Sequence, residues 1–428
     1  MNVADSRRLA SALEQMGYEP TRQPKEADVI VLNTCVVRQS AEDKAIGRLT
    51  SLRPLKDRNP NLVINLMGCL IGVRGNQKIV ERFPWVDVVS APSDPGPLLH
   101  YLTQRTAKDN SQAAHGRLNA ILDGEIILPK DEQGLLVSAF IPVVYGCSHA
   151  CTYCVIPSKR GIERSRPYEE ILGEASSLAQ QGVKEITLLG QIVDRYGLDL
   201  SERSTLAMLL RDLHQIEGIK RIRFLTSHPN WMTDELLDTV QALPKVCPHI
   251  EVPIQSGDDG ILRAMRRGYT AASYRNLIAR IRERIPVVAI ATDIIVGFPG
   301  ETQVQFENTY TVLEDLRMDV AHLARYSPRV GTYSARKLED NVSEEEKMHR
   351  FRRLEALQEE IATEINARLL GETLSVLFEE QKRGRWRGRT PTNKLVFVDS
   401  QEHLLGQERD VHIEWTGPWS MVGSLNAK

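Results

Sequence analysis

The sequence predicts an α/β protein in three parts: an N-terminal open α/β sheet domain, a partial parallel β/α barrel, and a small C-terminal antiparallel β-barrel. Three observations predict it. Apolar strand-like runs alternate with amphipathic helical stretches through most of the chain, the pattern of parallel sheets. Arg105 to Gly134 is polar and aperiodic, which reads as a linker with a short hairpin between two such series. From Thr373 to Lys428 the pattern changes to short runs split by turn residues. The parts are placed at 1–104, 133–366 and 367–428, with 105–132 as linker.

In the first part, Ala4 to Gly17 carries Leu9, Leu13 and Met16 on one helical face and stops at glycine. A strand at Val29–Leu32 leads into Asn33-Thr34-Cys35, and a helix follows from about Ala41 to Leu52. A second strand, Leu62–Met67, ends at Gly68-Cys69, and Val86–Val89 reads as a third. Ligands in open α/β sheets sit beyond the carboxyl ends of strands. Cys35 and Cys69 both occupy that position, which favours ligands over ordinary buried thiols. The chain opens directly in a helix, without the strand that the alternation asks for.

In the second part the candidate strands are Phe140–Tyr145, Glu185–Leu189, Arg221–Leu225, Ile250–Ile254, Val287–Ile295 and Val320–Tyr326. Between the first two, Ile171, Leu172, Ala175, Leu178 and Ala179 share one helical face, and Gly182 ends it. Repeated strand–helix units suggest a partly closed barrel, whose sites lie at the C-terminal strand ends. Ser343 and Glu346 form a capping box. It opens a long helix with Phe351, Leu354, Leu357, Ile361, Ile365 and Leu369 inward. The last part holds Lys382, Arg383, Arg385, Trp386, Arg387, Arg389 and Lys394 within thirteen residues. Solvated surface is one reading of that run. RNA backbone contact by the basic residues Arg385, Arg387, Arg389 and Lys394, with the aromatic stacking on bases, is the other.

The chemistry concentrates in Tyr145-Gly146-Cys147-Ser148-His149-Ala150-Cys151-Thr152-Tyr153-Cys154, at the end of the first barrel strand. Three cysteines so close, after a strand, can aim thiolates at one point. A four-iron cluster normally takes four thiolates, so three would leave one iron open to another ligand. A zinc knuckle using His149, or unrelated buried thiols, are the alternatives. Bulk properties bound the rest. The 428 residues are 42% hydrophobic and 26% charged, with six unevenly spaced cysteines, no signal-peptide core and no membrane-length apolar run. That predicts a cytosolic protein in a reducing compartment. A net charge of −2 leaves any RNA contact to local patches.

Cys-x3-Cys-x2-Cys resembles the signature of radical S-adenosylmethionine (SAM) enzymes. The order of parts is similar to the methylthiotransferase family: a cysteine domain, a radical-SAM barrel and an RNA-binding TRAM domain. Matching stretches include Asn33-Thr34-Cys35-Val36-Val37-Arg38, Gly68-Cys69, Arg160-Gly161 and Leu188-Leu189-Gly190-Gln191. Thr226-Ser227-His228-Pro229, Pro253-Ile254-Gln255-Ser256-Gly257 and the Asp293 to Thr302 run match as well. Glu163 to Pro167 and Gly388 to Lys394 favour the branch acting on tRNA over the one acting on a ribosomal protein.

The resemblance implies addition of a methylthio group to carbon 2 of N6-isopentenyl-adenosine next to the anticodon. It implies two [4Fe-4S] clusters, one held by Cys147, Cys151 and Cys154 and binding SAM, the other held by Cys35 and Cys69 and carrying sulfur. Tyr153, Gly190, Gln191, Gln255, Ser256 and Gly297 are the implied cofactor contacts. Implied partners are tRNA and an electron donor such as flavodoxin or ferredoxin, with the protein a monomer and no membrane involved. His228 reads as a structural hydrogen-bonder, Cys247 as inert, and Asp293 as either structural or near SAM. Ile192 stands where the family has asparagine, and the second cluster lacks its usual third cysteine. Together with the missing first strand, that leads us to expect a start upstream of Met1. The alternatives are the same chemistry on threonylcarbamoyl-adenosine tRNA or a ribosomal protein, or a noncatalytic iron–sulfur RNA-binding protein.

Overall fold

A computed structural model describes residues 1–106, 127–201 and 204–425. The hairpin expected between Arg105 and Gly134 falls largely outside the described residues.

The N-terminal part is a parallel sheet in the order β1 (Val29–Thr34), β2 (Val63–Gly68), β3 (Val88–Ser90). Helix α1 (Asn2–Gln15) lies on one face with α3 (Gly96–Thr106), and α2 (Gln39–Arg58) covers the other. Ile64 and Leu66 bury against α2 while Val63 and Met67 bury against α1, the two-sided apolar strand of a covered parallel sheet.

The barrel is two parallel three-stranded sheets. One is β4 (Ser138–Pro142), β7 (Glu185–Leu189) and β8 (Arg221–Phe224); the other is β9 (His249–Glu251), β10 (Ala289–Val296) and β11 (Val320–Arg325). A parallel bridge from Ile222 to Val246 joins them, so the wall curves on as one open barrel. Short strands β5 (Val144–Tyr145) and β6 (Arg164–Ser165) pair antiparallel above β4 and enclose the cysteine loop. The helix expected after Ser343 is Glu344–Ala367, with the Ser343 hydroxyl accepting from the Glu346 amide. It buries Leu354, Leu357 and Ile361 in the same core as the strands.

Strands β12 (Thr373–Lys382), β13 (Arg385–Arg389), β14 (Leu395–Val398), β15 (Glu408–Thr416) and β16 (Met421–Leu425) form a closed barrel around Val376, Phe378, Val396 and Val411. It seats on the N-terminal ends of the large barrel's strands. Arg223, buried, pairs with Glu185 at 3.0 Å and donates to the carbonyls of Thr390 and Pro391. Arg221 pairs with Glu408 at 2.7 Å and donates to the Arg389 carbonyl.

Breaking a buried ion pair by removing one partner costs about 3–5 kcal/mol, because the other charge stays buried. Arg223→Ala therefore destabilises the protein by roughly 3 kcal/mol and frees the small barrel. Chemical denaturation and limited proteolysis would show it: a lower midpoint, with new cuts between the long helix and β12. An unchanged cleavage pattern would rule out the latch.

Candidate active site

The cysteine loop is set by backbone contacts. Gly146 has φ +64, and a side chain there would collide with the Ile162 carbonyl. Only glycine takes this crossing without strain. It lets the Cys147 amide donate to the Gly161 carbonyl at 3.1 Å. On the other side, buried Thr152 pins the loop three times. Its amide donates to the Met265 carbonyl at 3.1 Å, its hydroxyl to the Ala264 carbonyl at 2.9 Å, and its carbonyl accepts from Ser334 at 2.9 Å.

The thiols occupy unlike surroundings. Burial pushes Cys154 up to about 12, and burial also raises Cys147. Cys151 is buried too, yet His149 and Arg267 bring it below the usual thiol range. Arg267 donates to Cys151 Sγ at 3.2 Å. Among the described residues no three His, Cys, Asp or Glu side chains converge closely enough to grip one metal ion. A cluster asks for thiolates standing apart around an inorganic core, and cations to balance its charge. The three thiols, each within electrostatic reach of the others and faced by Arg267, fit that demand. The His149 ring packs against His228 at 4.6 Å between centroids and lies within hydrogen-bonding reach of Cys151.

Cys35 and Cys69 lie close to each other in the N-terminal part, Cys35 exposed and Cys69 buried. Gly68, at φ +99, lets the chain turn so that the Cys69 amide meets the Thr34 carbonyl at 3.0 Å. Burial raises the Cys69 thiol, and Arg160, within hydrogen-bonding reach, works against it. Arg160 ties the barrel to the N-terminal part beside Cys69. It starts from the helix after Cys154 and contacts Asn2 at 2.6 Å and Asp5 at 3.9 Å on the N-terminal part. Met1 Sδ also lies 3.2 Å from Gln191 Nε2.

The remaining expected cofactor residues ring the same mouth with different duties. Tyr153 stands edge-on to Phe298 at 6.4 Å. The Gly190 carbonyl accepts from Thr226 at 2.9 Å. Gln255 is buried at φ +71 and bridges to Ile294 on β10. Ser256 turns its hydroxyl away, to Thr309 at 3.3 Å. Gly297, φ +70, makes room for the side chain of Lys347. Ile192 packs against Cys147 and Ile156, an apolar neighbour of the loop. The imidazole of His228 accepts from the Asn230 amide at 3.3 Å, and burial drops it to about 2. Cys247 is buried, raised to about 11 by burial, and apart from the site.

The basic run differs from expectation. Trp386 is only 6% exposed and lies in the small barrel's core against His403, so it offers no stacking face. Lys394 pairs with Asp319 at 2.8 Å across the seam between barrels. Arg387 and Arg389 pair with Glu379, and Arg385 with Asp399. The exposed residues of the run without an ion pair among the described residues are Lys382 and Arg383. The exposed indoles are Trp415 and Trp419, 53% and 55% accessible. Sequence reasoning passed over Thr152, Arg160 and Arg267. The first two lay inside quoted motifs, and Arg267 carried no local signal.

A three-cysteine loop at the mouth of an open parallel barrel, with a five-stranded barrel appended, defines a radical SAM enzyme. The Radical SAM superfamily profile matches residues 141–313, Uncharacterized protein family UPF0004 matches 1–91, and the TRAM domain matches 367–425. A protein of Roseiflexus sp. (strain RS-1), named tRNA-2-methylthio-N(6)-dimethylallyladenosine synthase, is 46% identical, covering 99% of this chain and 87% of its own. One of the same name from Herpetosiphon aurantiacus is also 46% identical, covering 99% and 95%. The radical SAM methyltransferase TsrM from Kitasatospora setae, with cobalamin and a [4Fe-4S] cluster bound, shares the fold at TM-score 0.54 and 15% identity, over 90% of this chain and 77% of that one. The chain belongs to the tRNA-2-methylthio-N(6)-dimethylallyladenosine synthase family of radical SAM enzymes.

Gly146→Ala places a methyl against the Ile162 carbonyl and a non-glycine residue at positive φ, a strain of about 1–2 kcal/mol before any collision. The loop should open. After anaerobic reconstitution the variant's iron content and visible absorption should fall, and SAM cleavage with them. Wild-type iron loading would contradict this account of the loop.

Proposed function

We propose that this enzyme adds a methylthio group to carbon 2 of N6-dimethylallyladenosine beside the anticodon of a tRNA. The observation that carries the reading is a second thiol pair, Cys35 beside Cys69, at the contact where Arg160, on the helix that follows the cysteine loop, binds the N-terminal part. Such chemistry needs a radical source and a sulfur source near one carbon, because an aromatic C–H is too inert for acid–base substitution. A cluster held by Cys147, Cys151 and Cys154 would supply the electron that splits SAM, and one held in part by Cys35 and Cys69 would supply sulfur. Arg267 and Arg160 hold positive charge beside the two thiol groups. Ile192 and Ile156 keep an apolar wall on Cys147. An acidic one-electron carrier such as flavodoxin or ferredoxin completes the partners.

Cys151→Ala should abolish SAM cleavage, whereas Cys69→Ala should keep most of it and lose the methylthio product. The check is mass spectrometry of tRNA nucleosides from a deletion strain carrying each variant, with SAM cleavage measured on the purified proteins. Identical behaviour of the two variants would defeat the assignment of separate clusters. Restoration of no methylthio-isopentenyl-adenosine by the wild-type gene would point to threonylcarbamoyl-adenosine, a ribosomal protein, or no catalysis.

For the tRNA surface, we assign the larger electrostatic share to Lys382 and Arg383, since Arg385, Arg387, Arg389 and Lys394 already face carboxylates. Replacing Lys382 and Arg383 with Ala should reduce the log–log salt slope of tRNA binding by roughly one unit for each phosphate that the pair neutralises. Titrations across salt concentrations decide it. A larger drop for Lys394→Ala than for this pair would reverse the assignment.

A further inference from the structure

The large barrel's strands and the small barrel together line a cavity of about 360 Å³. That is a small-molecule volume. Its walls are apolar where Leu225, Ala291, Val320, Leu395 and Met421 meet, and Trp419 stands on its rim, 55% accessible. Asn366 fixes that rim by donating to the carbonyls of Gly417 and Pro418 at 2.8 and 3.1 Å.

One acidic side chain in this wall has no assigned task. Glu251 shares its register with Ala291 on β10, which in turn aligns with Val320 on β11, so the three face the lumen together. Among the described residues its carboxyl has no hydrogen-bond partner. Asp293, two residues above Ala291 on the same face, lies between Glu251 and Arg267, which reaches Cys151. The cavity and the cysteine loop thus share one lumen.

We propose that this cavity receives the target adenine with its N6-alkyl group, and that Glu251 reads the base by donating to N7 and accepting from N6–H. The inference rests on the functional reading above. An N6-alkyl adenine keeps one N–H. With the alkyl group on the N1 side, that N–H points toward N7, so one edge offers an acceptor beside a donor. A carboxylic acid matches this edge as the amide of Asn or Gln does. Carbon 2 lies at the opposite end of the purine from N7, so docking that edge low in the lumen turns carbon 2 up toward the thiols. The alkyl group meets the apolar wall.

The pairing uses the acid form, which the site favours: burial, then Asp293, push Glu251 up to about 7. The other groups around it do not compete for the role. His249 is dropped to about 3 by burial, Lys394 is paired with Asp319, and Arg389 with Glu379. Asp293 is itself raised by burial, against His322 and Arg267. The folded pKa lies above the usual carboxylate value, so the contact is complete at low pH and fades as pH rises through about 7.

The test uses the reconstituted full-length protein and anticodon stem-loops carrying N6-dimethylallyladenosine or its 7-deaza analogue, with affinity measured at pH 6 and 8. Wild type should bind the 7-deaza RNA roughly tenfold more weakly at pH 6, the scale of one bidentate base contact. Glu251→Ala should bind the natural RNA more weakly by a similar factor and no longer distinguish the two. Glu251→Gln keeps a donor and an acceptor, so it should bind well at both pH values, without the wild-type loss at pH 8. If the Ala variant does not fold, the Gln variant decides. Continued discrimination by Glu251→Ala, or a wild-type pH profile in Glu251→Gln, which would assign the titration to a group other than Glu251, overturns the inference alone. Wild-type protein that neither binds nor methylthiolates the natural RNA overturns the functional reading, and this inference with it.

Discussion

Everything at the barrel mouth depends on one crossing, where the chain entering the cysteine loop at Gly146 passes directly under the chain leaving it at Ile162. The crossing fixes Cys147 from one side, through the Gly161 carbonyl. Thr152 fixes the loop from the other, through Ala264, Met265 and Ser334. Those last three residues come from segments far apart in sequence, after β9 and after β11. The loop can therefore hold its shape only when the whole wall has assembled. Preset thiols bind a cluster without first paying to order the loop.

Charge is handled by the same economy. The chain is nearly neutral overall, at −2, yet guanidinium groups stand where the chemistry needs positive charge. Arg267 faces Cys151, Arg160 faces Cys69, and Arg329 reaches from the barrel to Glu42 and Gln39 of the N-terminal part. A guanidinium stays protonated in such places, where a buried lysine would lose its charge. Each thiol group therefore has a fixed cation beside it, Arg267 at Cys151 and Arg160 at Cys69.

Much of this was legible in the sequence, and the reason is local. Apolar periodicity drew the strands to within a few residues: Glu185–Leu189 matches in full, while Ile250–Ile254 shortens to His249–Glu251 because the chain there bends into the Gln255 turn. The cysteine loop declared itself because its ligands are neighbours in sequence. What stayed hidden was long-range. Arg267 is 116 residues from the thiol it faces, and nothing around it marks a partner. Glu251 sits in a short strand whose inward face only the register reveals. The basic run was half legible for the complementary reason: composition shows cations, but not that Glu379, Glu380, Asp399 and Asp319 come to meet them. Trp386, at an inward position of β13, was claimed by the small barrel's core.

The seam between the two barrels shows why so many of those cations look inward. An apolar seam of equal area would hold the small barrel as firmly, since buried ion pairs seldom outdo well-packed side chains in stability. It would not orient it. Arg221 divides its donors between Glu408 on β15, the Arg389 carbonyl on β13 and Ser375 on β12, and Arg223 binds the next two carbonyls along. Each donor has one direction in which it can be satisfied, and a rotation of the small barrel by a few degrees would leave several buried N–H groups unpaired. Trp419 and the 390–394 turn, which close the cavity, are carried by that barrel. A module that also lines one side of the cavity has to be held in register with the large barrel, and directional hydrogen bonds from two buried arginines supply that register.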